Sequence, residues 1–82
     1  MKYTAALDEY FEESGQDAEH TYYDVKSGFR CVDNYTGETV LVLHVANDMT
    51  ITHVSPENRS DYMLYPDTTL AIYKLATVHT HC

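Results

Sequence analysis

The sequence predicts an α+β fold in which one N-terminal amphipathic helix packs on an antiparallel sheet of about four or five strands. Three observations predict it. From Thr4 to Ser14, the positions Tyr3, Leu7, Tyr10, Phe11 and Ser14 recur at helical spacing, with Asp8, Glu9, Glu12 and Glu13 on the opposite side. The rest of the chain is a series of short apolar or alternating runs separated by turn residues. An apolar content of 44%, with eight Tyr and two Phe, is too high for a disordered acidic tail, so residues 1–82 are expected to fold as one domain.

Thr4 is placed to cap the helix, and Gly15 stands where a helix commonly ends in a left-handed residue. Gln16 to His20 is a polar connector. Tyr22, Tyr23 and Val25 form a short strand, broken at Ser27-Gly28, and Phe29 to Asn34 resumes it. Tyr35-Thr36-Gly37 is a three-residue hairpin loop with Gly37 left-handed. Val40 to Ala46 reads as a central strand. Asn47-Asp48 closes a second hairpin, and Met49 to Val54 returns from it. Ser55 to Asp61 is a loop. Tyr62 to Tyr65 and Leu70 to Leu75 flank Pro66-Asp67, a type I turn signal that favours a last hairpin. The rival assignment is a helix capped by Asp67 and running through Ala76, with Ala71, Ile72, Leu75 and Val78 on one side.

These loops fix a register. Cys31 is expected opposite Leu41, Phe29 opposite Leu43, Val45 opposite Thr50 and Leu43 opposite Thr52. One face then carries Phe29, Cys31, Leu41, Leu43, Val45 and Val54, and the helix is expected to bury it with Leu7, Tyr10 and Phe11. The other face carries Arg30, Val32, Val40, Val42, His44, Met49, Ile51 and His53, covered by the C-terminal segment or left to a partner.

The chain has 5 Lys and Arg against 13 Asp and Glu, a net charge of −8. Seven of the first twenty-four residues are acidic: Asp8, Glu9, Glu12, Glu13, Asp17, Glu19 and Asp24. Such a surface repels nucleic acid and acidic membranes and speeds encounter with basic proteins. On a helix, Asp8/Glu12 and Glu9/Glu13 would repel at i, i+4, which asks for a reason. Imitation of a phosphate backbone is one, and a solvated helix face is the other. Acid–base catalysis needs a dry cleft that a solvent-facing helix does not give.

The remaining chemistry is sparse. His79, His81 and Cys82 form a His-x-His-Cys terminus, but a structural metal site normally takes four ligands and no CxxC occurs, so no metal or cofactor is expected. His44 and His53 are expected as diagonal neighbours, suited to hydrogen bonding or mild pH sensitivity. Cys31 reads as a packing residue, and the two cysteines make no disulfide framework. No Gly-x-Ser-x-Gly or phosphate-binding glycine loop occurs. Lys26, Arg30, Arg59 and Lys74 are isolated cations, which argues against direct nucleic-acid binding. The N-terminus lacks a signal-peptide pattern and no stretch approaches ~20 apolar residues, so the expected location is cytoplasmic, without membrane contact.

In size, charge and layout, with the acids of Asp8 to Glu13, Asp17, Glu19 and Asp24 ahead of an antiparallel sheet, the chain resembles small phage-encoded inhibitors. These include anti-CRISPR proteins and DNA mimics such as the uracil-DNA glycosylase inhibitor. The resemblance implies a non-catalytic protein in the host cytoplasm that occludes the basic surface of a nucleic-acid-binding protein or nuclease complex. The seven acids would form the partner surface. Three alternatives stand beside it: an accessory subunit that binds by sheet-edge addition, an acidic immunity protein or antitoxin, and a small metal-dependent protein using the histidines.

Overall fold

The computed structural model describes residues 1–76. Antiparallel strands dominate it: β1 (Phe11–Gln16), β2 (His20–Val25), β3 (Phe29–Asp33), β4 (Thr39–Ala46), β5 (Ile51–Pro56), β6 (Tyr62–Met63) and β7 (Leu70–Lys74). The expected N-terminal helix is not there. Its place is taken by one short 3-10 helix, Ala5–Glu9, followed directly by β1. Thr4 makes no side-chain cap. The residues that looked like one helical stripe serve separate elements: Tyr3 is buried beside β5, Phe11 is buried in β1, and Leu7 and Tyr10 are only half-buried. Repulsion between acids four apart and the weak helix preference of Ser14-Gly15 leave little to hold a helix, and pairing with β2 wins.

β4 is central, as its apolar run predicts. One edge pairs along its length with β5, while the other pairs with β2 through Asp24↔Val42 to His20↔Ala46 and with β3 through Cys31↔Val40 and Val32↔Thr39. β2 and β3 thus lie in line along one edge, separated by the Lys26-Ser27-Gly28 turn, in which Gly28 has φ 93°. β1 extends the sheet outside β2, β7 outside β3, and β6 outside β5. Met1 to Tyr3 also runs along β5, through Ile51 N–H donating to Met1 O (2.8 Å) and Tyr3 N–H to Met49 O (2.7 Å). The 3-10 helix carries the chain from there to β1.

All four register expectations are corrected. The β3–β4 loop holds four residues, 34–37, closed by Asp33 N–H donating to Glu38 O (2.9 Å), so Cys31 faces Val40 and not Leu41. The Asn47-Asp48 loop contains a third residue, Met49, at φ 71°, with Ala46 N–H donating to Thr50 O (2.8 Å). A three-residue loop of this kind shifts the return strand by one, so Val45 faces Ile51, and a further irregularity between His44 and Val45 then brings Leu43 opposite Val54. The pairing of β4 with β5 is irregular between Val40 and Val42, and Val40 is buried while Leu41 is 46% exposed. The core is therefore Tyr3, Phe11, Cys31, Val40, Leu43, Val45, Ile51, Val54 and Leu64. Phe29 pairs with Lys74 of β7 and not with Leu43.

The C-terminal segment is a strand and not the rival helix, but it forms no hairpin with β6. Pro66-Asp67 still makes its turn, with Thr68 N–H donating to Tyr65 O (3.0 Å). The turn carries the chain from the β5 edge across to β3. No helix among the described residues is long and apolar enough to cross a membrane.

Candidate functional site

The seven predicted acids do not form one stripe. Asp8 and Glu9 lie in the 3-10 helix, and Asp8 accepts the Tyr3 hydroxyl at 2.7 Å. Glu12 and Asp24 stand directly opposite each other on β1 and β2, and Glu13 stands opposite Tyr23. Burial first, then the charges of Glu13 and Asp8, hold the Tyr23 hydroxyl above its usual pKa. Asp17 shapes the β1–β2 turn. Its Oδ1 accepts Glu19 N–H and His20 N–H at 2.8 Å each, and its Oδ2 accepts the Tyr22 hydroxyl. That hydroxyl, then the two backbone donors, lower the Asp17 carboxyl to about 2. Six of the seven are exposed and Asp24 is half-buried. Among the described residues none of them pairs with Lys or Arg, whose carboxylate partners are Asp48 for Lys2 (3.7 Å) and Glu38 for Arg59 (2.8 Å).

Sheet alternation gathers three histidines on the face away from the core. His44 and His53 are direct cross-strand partners rather than diagonal ones, and His20 of β2 joins them with ring centroids 6.0 to 6.3 Å apart. Thr52 Oγ1 lies 3.1 Å from His20 Nε2 and 2.9 Å from His53 Nδ1. His44 Nε2 lies 2.8 Å from Ser55 Oγ and 3.6 Å from Asp61 Oδ2. The Ser, His and Asp share one ring nitrogen, whereas a relay needs the base to bridge its two partners through both nitrogens. The trio is therefore not arranged as a nucleophile. Burial holds His44 below the usual imidazole pKa; Asp61 and Asp17 oppose that shift, and His53 and His20 add to it. Among the described residues no group of three or more His, Cys, Asp or Glu is arranged to hold a metal ion. His79, His81 and Cys82 lie outside the described residues.

One concavity has no counterpart in the sequence expectations. It is a cavity of about 350 Å³ between the β3–β4 turn and the 59–68 segment. At its floor is Asp33, 1% exposed. Asp33 Oδ1 accepts Tyr35 N–H (2.7 Å) and Thr36 N–H (3.4 Å), and Oδ2 accepts the Tyr62 hydroxyl (2.6 Å). Burial and then this bond raise the Tyr62 pKa. Asp33 and burial together push the neighbouring Cys31 thiol, completely enclosed in the core, up to about 12, burial being the larger cause. Tyr35 and Tyr65 form the rim, ring centroids 5.7 Å apart, and are 68% and 59% exposed. Arg59 lies over the Tyr62 ring, its Cζ 4.2 Å from the centroid, while its Nε–H reaches both Glu38 carboxylate oxygens at 2.8 Å. The sequence signal for this site is Asp33 itself, an acid closing an apolar strand just before a turn. Its Asx-type bonds to Tyr35 and Thr36 are those such a position offers.

Comparison of the chain with protein-family models, curated proteins and solved structures finds no match.

Proposed function

We propose that this chain is a non-catalytic acidic binding protein that inhibits a nucleic-acid-handling protein by covering its basic surface. The observation that carries this reading is the Glu12↔Asp24 pair. Two carboxylates stand directly opposed across β1 and β2 with no Lys or Arg paired to either among the described residues. Opposed like charges destabilise a sheet. A partner's Arg or Lys placed between them would turn that cost into a charge-assisted contact. With Glu13, Glu19, Asp8 and Glu9 also exposed and the net charge at −8, the surface supplies anions where a basic protein ordinarily finds phosphates.

A second reading, strand addition, is favoured by β1 and β7, each of which pairs along one edge only among the described residues. On the β7 side Tyr73 and Leu75 are 54% and 47% exposed. One experiment separates the two. The immobilised chain is incubated with cell lysate at low salt, with duplex DNA as competitor and a Glu12→Lys, Glu13→Lys, Glu19→Lys variant as control. The charge reading expects nucleic-acid-binding proteins that DNA and salt release and the variant does not hold. Capture that survives both salt and charge reversal overturns it and supports edge addition.

A further inference from the structure

We infer that the Tyr62 face in the wall of the tyrosine-lined cavity, together with Glu38, is a receptor for a guanidinium side chain of a partner protein, and that Arg59, itself part of that wall, occupies this receptor when no partner is bound. The inference rests on the reading above that the partner is basic, and it names the anchor on this chain. Two features that recognise a guanidinium converge here. The Tyr62 face already binds one, with the Arg59 Cζ 4.2 Å from its centroid, and Glu38 supplies the carboxylate that takes that guanidinium's Nε–H. Tyr35 and Tyr65 add exposed rings at the mouth. The carboxylate of Asp33 beneath the floor adds a fixed negative charge whose acceptor sites are taken up by Tyr35, Thr36 and Tyr62.

Arg59 comes from the exposed 57–61 loop and its side chain is about half exposed (50%), whereas the Glu38 side chain it meets is 27% exposed and stays in place for another guanidinium. The cavity of about 350 Å³ falls at the small end of ligand-sized pockets. An incoming arginine would replace Arg59 on the same ring and the same carboxylate. The exchange keeps the cavity's charge balanced while releasing the resident side chain to solvent. A net charge of −8 favours cations over anions at its mouth.

The test uses the ¹⁵N-labelled chain at low salt and N-acetyl-arginine methylamide as probe, with the neutral citrulline analogue as control. Saturable amide shifts confined to Tyr35, Thr36, Tyr62 and Tyr65 are expected with the arginine probe only. Removing the resident cation by Arg59→Ala is expected to tighten binding several-fold, and Tyr35→Ala or Tyr65→Ala, both at exposed positions, to weaken it several-fold. The inference is overturned if neither wild type nor Arg59→Ala shows saturable shifts, if citrulline binds equally, or if Arg59→Ala weakens binding. Should the probe fail while lysate capture still depends on the acids of β1, this inference alone falls. If the probe binds while charge reversal leaves capture intact, the proposed function falls and the receptor stands.

Discussion

The Asp33 carboxylate links the turn after β3 to β6, because its oxygens are the acceptors for Tyr35 N–H, Thr36 N–H and the Tyr62 hydroxyl. Removing it by Asp33→Ala leaves three donors without a partner in a nearly closed site, and a cost of about 3 kcal/mol is expected in a urea titration. A loss below about 1 kcal/mol would mean that water replaces the carboxylate easily. Burial at His44 acts through protonation. Its pKa is lowered in the folded chain, so the unfolded chain binds more protons in the window between the ordinary imidazole value of about 6.5 and the lowered one. The stability that neutral His44 contributes is present above that window and is lost as pH falls through it. His44→Gln is expected to flatten the dependence of the urea midpoint on pH between about 7 and 5; an unchanged slope would assign it to other groups. Composition announces neither site. Asp33 is one acid among thirteen, and its role comes from Tyr62, 29 positions away. His20 becomes a neighbour of His44 only through pairing of β2 with β4.

Strand and turn positions were legible where partners are close in sequence, but their register was not, since the β3–β4 and β4–β5 loops each hold one residue more than expected. The β3–β4 turn with Gly37 at φ 77°, the central β4 and the Pro66-Asp67 turn all follow from local residue choice. Failures came where pairing is decided elsewhere. Phe11–Gln16 is a strand because β2 offers an edge, a fact no period in residues 3–14 contains. One extra residue in a loop reverses a face assignment, and Met49 supplies that residue even though bulky side chains rarely adopt positive φ. The consequence is measurable in β4. Leu43 is fully buried, so Leu43→Ala is expected to cost about 2 to 5 kcal/mol. Leu41, turned outward by the irregularity between Val40 and Val42, is expected to cost less than about 1 kcal/mol on the same change. Equal losses in urea titrations would put Leu41 back in the core.

At the scale of the whole molecule six of the seven acids are exposed, but the seven lost their common face, dividing among the 3-10 helix, β1, β2 and the turn between those strands. Charge is therefore a property of the entire surface, and the fold carries it at some cost. Two pairs of Lys or Arg with carboxylates occur among the described residues, whereas the net charge is −8, so repulsion outweighs attraction in the folded state. Raising NaCl from about 0.01 M to about 0.15 M shortens the screening length from roughly 30 Å to 8 Å. For a protein held together by surface ion pairs that change lowers stability; here it is expected to raise the melting temperature, because more repulsion than attraction is removed. The local counterpart is Glu12→Lys, which places a cation opposite Asp24 and is expected to stabilise the sheet by roughly 0.2 to 1 kcal/mol. Its benefit should shrink in the higher salt, since screening weakens the new attraction and the old repulsion alike. A melting temperature that falls with salt, or a Glu12→Lys chain less stable than wild type at low salt, would show that the opposed carboxylates do not repel. The Glu12↔Asp24 pair would then lose its standing as the reason to look for a basic partner.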